Sequence, residues 1–383
     1  MDLIQSIIIY SLVFIVATCF FYFSTISNKK SIGIVFAVLG ILVLSIFAAS
    51  RSDNIGKDVK GYVVPLFDIA KSSTSFNDFL NLGHLYSSAD STGKKEMSYL
   101  ILTFLSSRIS NNDSTLLFII QFLTVTPVYL SAVNFSKKYK LSIPFYMLCY
   151  MLLFYLNSFN VMRQSMSCAF FLLGFSYGKN NKWKMISSYV IAVLLHRMAF
   201  LGIIFLCLGM LLSKLRGYKK IILLISVGVM LVFLKPIITI LMEYNLLTPA
   251  QSYYVDVFVF GTIATTWTNI AGGLLILDGV RRTLLLLPYF SIKRSEGYMY
   301  ELKNAVLVGY IAYMVLLVTT QSVYGSRISM FTDFLYIPLL SYFEKKKLNN
   351  SVSGYLIITL ILIVFCIIWD LIVNGYRVFE FRF

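Results

Sequence analysis

The chain has 383 residues, 58% of them hydrophobic and only 13% charged, with a formal net charge of +16. Soluble domains carry about 25% charged residues, and one soluble core does not hide this much apolar surface, so an ordinary soluble enzyme is excluded. The basic residues stand mostly in short loops between apolar runs, which assigns the positive charge to membrane orientation and anionic headgroups, with no nucleic acid as partner.

Leu3 to Ser24 is the first continuous apolar run. About 20 such residues cross ~30 Å of hydrocarbon. Only Asp2 is charged at its start and no small-residue cleavage site follows, so it reads as an anchored helix and not a cleavable leader. Ser31 to Ala49, Ile221 to Leu234 and Val352 to Trp369 are similar runs. Lipid offers no partner to backbone amides, so only helices or a closed barrel can span it. The runs are continuous rather than alternating, which selects helices. The expected fold class is an all-α polytopic integral membrane protein.

Topology follows from the basic clusters, taken as cytoplasmic. These are Lys29-Lys30, Lys137-Lys138-Lys140, Lys179-Lys182-Lys184, Lys214-Arg216-Lys219-Lys220, Arg281-Arg282 with Lys293-Arg294 and Lys303, and Lys345-Lys346-Lys347. Spans then fall near 3–25, 31–49, 114–134, 141–158, 161–178, 184–197, 199–213, 220–242, 262–280, 303–320, 326–343 and 352–373, about twelve transmembrane helices with both termini outside. Residues 50–110 form a large outer loop, with the turn formers Asn54, Gly56, Gly61, Gly83 and Gly93 and a partly inserted helix over 97–110. A second outer loop, 243–261, carries Tyr253, Tyr254, Phe258 and Phe260. The region 262–300 is compatible with a broken helix followed by a cytoplasmic amphipathic one. No internal repeat is visible, so 1–383 reads as a single membrane domain. The five cysteines (Cys19, Cys149, Cys168, Cys207 and Cys366) lie singly in apolar runs and read as small core residues.

The isolated charges stand apart from these clusters, and on this topology they are expected to gather on its outer side. Arg51, Asp58 and Glu96 fall in the first outer loop or at its edges, Arg163 lies one turn inside the span at 161–178, His196 and Arg197 stand where two short spans meet, and Arg327 begins the span at 326–343. An ionisable residue within a span costs ~2.5–3.5 kcal/mol at a helix centre, so it seeks a cavity, a partner or the interface. Asn160, Arg163, Gln164 and Ser167 recur at helical spacing as one polar stripe. Such a stripe needs a wet cavity or hydrogen-bonding neighbours. Glu96 precedes a helix, where an acid also suits the positive end of the dipole, and Asp58 is also compatible with a solvated loop. His84, in the long loop, is assigned no role.

Arginines bind phosphate oxygens bidentately and stay charged, and they can neutralise a departing diphosphate without a metal ion. No Asp-x-Asp pair stands in a loop, so no metal or other cofactor is expected. A carboxylate or histidine can deprotonate an incoming hydroxyl. Tyr253, Tyr254 and Trp267 are candidates to stack on sugar rings, although aromatics at a membrane interface are common in any case. No Gly-x-Ser-x-Gly, His-Glu-x-x-His or Walker loop is present. Soluble nucleotide sugars are cytoplasmic, so an outward-facing glycosyl transfer would use a lipid-linked donor.

Five elements in order resemble the EpsG-like branch of Wzy-type bacterial polysaccharide polymerases. They are Gly56, Asp58, Tyr62 and Phe67 in RSDNIGKDVKGYVVPLF; Glu96 with Tyr99; Asn160, Arg163 and Gln164 in NVMRQSMSCAFF; His196 and Arg197 in LLHRMAF; and Arg327, Phe331 and Pro338 in SRISMFTDFLYIP. The chain departs from the pattern at Met198, where a small hydroxyl residue is common, and at Met330-Phe331, where a Tyr-Phe pair is common. The resemblance implies a repeat-unit polymerase for O-antigen or exopolysaccharide, metal-independent, in the bacterial inner membrane with its active face outside. It moves a glycan from undecaprenyl diphosphate to the non-reducing end of another lipid-linked repeat unit, with a chain-length regulator protein as a further partner. Combined with the chemistry above, Arg163, Arg327 and Arg51 are expected to hold the donor diphosphate, Glu96, Asp58 or His196 to activate the acceptor, and Asn160, Gln164 and Tyr62 to contact substrate. Two alternatives share these requirements: a lipid-linked oligosaccharide flippase, which normally shows duplicated halves and charges near mid-membrane, and an O-antigen ligase, which uses a different acceptor. A membrane acyltransferase would want a deep histidine with a nearby acid, and neither is evident.

Overall fold

A computed structural model describes residues 3–52, 55–56, 58–89, 95–243, 270–320, 324–347 and 352–368. The expectations for the second outer loop and for Trp267 lie outside these residues. The described chain is helical, with no sheet among the described residues. Among the described residues, four helices are long and apolar enough to cross a membrane, Ile4–Ile26, Lys30–Ala49, Ser114–Tyr139 and Tyr298–Val318, and several shorter apolar helices accompany them. The protein is thus a multi-pass membrane protein by the length and composition of its helices.

Two compact units divide the chain, one of residues 1–199 and 344–383, the other of 200–343. In the first, α1 (Leu3–Ile26) and α2 (Lys30–Ala49) form a helical hairpin. Gly40 of α2 lets the backbone approach the Phe21 ring of α1. The outer segment then runs through a π-helical turn (Val59–Val63), α3 (Val64–Ser72), α4 (Phe76–Ala89) and α5 (Met97–Ile109). Next come α6 (Ser114–Tyr139), α7 (Ile143–Tyr150) with a π-helical extension to Tyr155, a 3₁₀ turn (Asn157–Phe159), α8 (Met162–Tyr177) and α9 (Lys182–Leu195). Helix α8 is buried on nearly all sides and packs against α6 and α9.

Much of the polar segment expected as loop is helical. Its apolar residues explain this: Val59, Tyr62, Val63, Leu66, Phe67 and Ala70 repeat at spacings of three and four, the period of one helical face. All six are buried, in a cluster with Phe79, Tyr99, Leu116, Ile120 and Met162. Of the turn formers, Gly56 makes a close approach to the Phe159 carbonyl, Gly61 and Gly83 lie within helical stretches, and Asn54 and Gly93 are outside the described residues. Helix α5 spans 13 residues, or about 20 Å, short of a full crossing.

The second unit holds most of α10 (Ala199–Lys214), then α11 (Tyr218–Glu243), α12 (Ile270–Leu285), α13 (Tyr298–Thr320), α14 (Tyr324–Asp333) and most of α15 (Tyr336–Lys347). Helix α16 (Val352–Phe365) belongs to the first unit. The single span expected over 326–343 is two helices, broken at Phe334–Leu335. Pro338 is the cause: it has no N–H, and its ring clashes with the carbonyl four residues back, at Phe334, so it is tolerated only in a first turn. The pair Arg281-Arg282, read as a loop cluster, lies on α12. Arg282 is buried, bonded to Asp278 at 2.9 Å, Ser329 at 2.8 Å and Asp333 at 2.5 Å, with Tyr313 beneath its guanidinium at 4.1 Å.

Candidate functional site

Three elements distant in sequence meet at Glu96. Glu96 is the residue before α5, in extended conformation. Arg163 is in the first turn of α8, and His196 ends α9, also extended. The Glu96 carboxylate bonds Arg163 Nη1 through Oε2 and His196 Nδ1 through Oε1, the latter at 2.7 Å. The start of α5 is tied to the end of α9 by Ser98 Oγ, which donates to the Leu194 carbonyl at 2.5 Å. Ser167, one turn beyond Arg163, donates to the Ala192 carbonyl at 2.6 Å. These two bonds set the register that brings an acid, a guanidinium and an imidazole together.

Tyr62 extends the cluster. Its hydroxyl donates to Asp58 Oδ2 at 2.7 Å and accepts from Arg163 Nε at 3.4 Å. Its ring meets Tyr99 edge-on at 5.5 Å, and the Arg163 guanidinium carbon lies 5.0 Å from one ring centre and 5.6 Å from the other. Two tyrosine rings thus hold the guanidinium by cation–π attraction while its nitrogens point to oxygen acceptors.

Electrostatics follow from the contacts. Burial pushes the Glu96 carboxyl upward, but the His196 hydrogen bond and the Arg163 charge outweigh it and bring the pKa down to about 2. Glu96 is therefore ionised at neutral pH and can only accept. His196 Nδ1 must then carry the proton of that bond, leaving Nε2 with a lone pair when the ring is neutral. Burial and the Asp58 charge push the Tyr62 phenol well above its usual range, so it stays a neutral donor.

Of the residues expected at a site, Glu96, Arg163, His196, Tyr62 and Asp58 form one continuous hydrogen-bonded group. Gln164 is buried beside it on α8, and Asn160 is half-buried at the 3₁₀ turn before α8. Arg51 has a different setting. It is 2% exposed. Its guanidinium donates to the Ala48 carbonyl at 2.9 Å and to Met162 Sδ at 3.1 Å, and lies 4.4 Å from the Phe159 ring centre. It clamps the end of α2 to the entrance of α8. Arg327 lies half-buried on α14 of the second unit. Two residues of the group were not singled out as site residues from the sequence: Tyr99, and Lys95, whose Nζ is 4.3 Å from the Tyr62 ring centre. Their signal was adjacency to Glu96. A cavity of about 550 Å³ opens elsewhere in this unit, lined by Val64, Phe67, Asp68 and residues 110–113.

Gly56 joins two of the sequence elements physically. Its φ of +96° belongs to glycine, and a Cβ there would collide with the Phe159 carbonyl just before Asn160. The Gly-x-Asp element thereby seats directly on the Asn-x-x-Arg-Gln element.

A family model described as the EpsG family matches residues 34–383. The chain belongs to the EpsG family. The family is associated with exopolysaccharide biosynthesis. No curated protein and no solved structure matched the chain. The matched stretch takes in every member of the Glu96 group, so this EpsG protein carries the group inside the family region.

Proposed function

We propose that this EpsG protein is a polysaccharide repeat-unit polymerase. It transfers a glycan from undecaprenyl diphosphate to the non-reducing end of another lipid-linked repeat unit on the outer side of the inner membrane. The observation that supports this is the contact of Glu96 with both Arg163 and His196, which joins an anion ligand to an oriented proton acceptor.

The acceptor hydroxyl oxygen attacks the anomeric carbon of the donor. The bond from that carbon to the phosphate oxygen breaks, and undecaprenyl diphosphate leaves. The hydroxyl proton passes to His196 Nε2. Glu96 is too weak a base for this step with a pKa of about 2; it holds the Nδ1 proton and orients the ring, as the carboxylate does in a Ser-His-Asp triad. Arg163 takes the developing charge on the diphosphate. Tyr62 and Asp58 hold Arg163 in place, and Arg51 aligns α8. Arg327 remains a candidate ligand of the same diphosphate on the strength of its place in the family pattern.

The test is polymerisation of purified lipid-linked repeat unit by the purified protein. Arg163→Ala is expected to lower kcat by about 100-fold or more, the usual loss of a transition-state anion ligand. If Arg163→Ala and Arg327→Ala both polymerise like the unmodified protein, the diphosphate assignment is wrong. Cells lacking the gene would hold single repeat units on the outer leaflet; trapping them inside would favour a flippase instead.

A further inference from the structure

We propose that Lys95 is the second cation of the diphosphate site, taking one phosphate while Arg163 takes the other. The inference rests on the reading of Arg163 as a donor-phosphate ligand. A diphosphate leaving group carries more negative charge than one guanidinium neutralises, so a site for it calls for a second cation. Of the two arginines expected to share the work, Arg51 is buried and engaged with Ala48, Met162 and Phe159.

Lys95 is placed for the task. Its Nζ is 4.3 Å from the Tyr62 ring centre, and the Arg163 guanidinium carbon is 5.0 Å from the same point. The two cationic centres are therefore no more than about 10 Å apart. Each cation can donate a charge-assisted bond of about 2.8 Å, so a separation of that order is within reach of oxygens on two phosphates of one diphosphate.

The two groups also differ usefully. The Arg163 guanidinium is a planar fork, held by Glu96 and between Tyr62 and Tyr99. The Lys95 ammonium is a compact charge on a flexible stem and can follow a phosphate as it departs. Its backbone is anchored, because Glu96 is the next residue and α5 is pinned to α9 through Ser98. Lys95 is half-buried, open enough to meet a ligand.

Binding of inorganic pyrophosphate and of inorganic phosphate to the purified full-length protein, by titration calorimetry, tests the assignment. The unmodified protein should prefer pyrophosphate. Lys95→Ala should weaken pyrophosphate binding about tenfold or more, the effect of losing one hydrogen bond to a charged group, and leave phosphate binding unchanged. Lys95→Arg should restore most of the loss. Equal pyrophosphate affinity in Lys95→Ala and the unmodified protein overturns the inference. So does a parallel fall for both anions, or no preference for pyrophosphate to begin with. The polymerase reading fails separately: an unmodified protein that shows the pyrophosphate contrast but polymerises nothing keeps this anion site and loses that function.

Discussion

Glu96 holds a guanidinium with one oxygen and an imidazole with the other, and the two bonds serve different ends. Removing the charge while keeping the shape separates them. Glu96→Gln should lower kcat by at least about tenfold, and His196→Ala by about 100-fold, the range for a lost general base, read in the same polymerisation assay. The depressed pKa of Glu96 has a stability consequence of definite sign. The unfolded carboxyl titrates near ~4.3, and the folded one at about 2, so between those values the unfolded chain binds more protons. The Glu96 contribution is full above the upper value and is lost as pH falls toward the lower one. Thermal unfolding between pH 5 and pH 3 should show this decline in the unmodified protein and a smaller one in Glu96→Gln. Tyr62→Phe keeps the ring and deletes the hydroxyl between Asp58 and Arg163. It should raise KM for the donor severalfold with little loss of stability, about 1 kcal/mol; an unchanged KM would remove Tyr62 from the positioning of Arg163.

At the scale of elements, two backbone features decide where the side chains point. Gly56 presses on the Phe159 carbonyl with φ of +96°, so Gly56→Ala faces both strain and a collision with backbone. The variant should lose more than about 1 kcal/mol, the least that an incompatible Ala costs at positive φ, and should perturb Arg163 through the entrance of α8. Measured melting and donor KM should shift together. Pro338 breaks what composition alone reads as one span. Pro338→Ala removes the clash with Phe334 and should let helix continue through Phe334–Leu335, visible as slowed amide exchange there. Much of the element pattern was legible: the apolar runs marked the long helices, and the basic clusters most of their boundaries, though Arg281-Arg282 and Lys303 fall inside α12 and α13. Taken singly, the glycines and polar residues of the outer segment point to loop. Its helical period lay in Val59, Tyr62, Val63, Leu66, Phe67 and Ala70, a face that needs α5, α6 and Met162 opposite it before it is worth forming.

For the whole molecule, the basic clusters and the Glu96 group make opposite demands on topology. If Lys137, Lys138 and Lys140 face the cytoplasm, the Glu96 group faces out. Single cysteines placed in a cysteine-free background at Lys138 and at Asp68 should label from opposite sides of intact spheroplasts with a membrane-impermeant reagent. Labelling of both from one side would overturn the orientation and with it an outward-facing polymerase.

What the amino-acid order determined by itself was a helical membrane protein with a set of ionisable residues scattered along it. Apolar length and loop charge are local properties, and a bilayer acts on each run separately. The candidate chemistry of Arg163, Glu96 and His196 was also readable, because charge within or beside a span is costly enough to demand a reason. Only the tertiary structure decided which of those residues meet. It placed Glu96 between Arg163 and His196, diverted Arg51 into a clamp on α8, and brought Lys95 to the ring of Tyr62. Those outcomes depend on the register of α5 against α9 and the seating of Gly56 on Phe159, contacts between segments about 100 residues apart. A one-residue slip of a helix turns its side chains by about 100°, and no local pattern fixes that rotation.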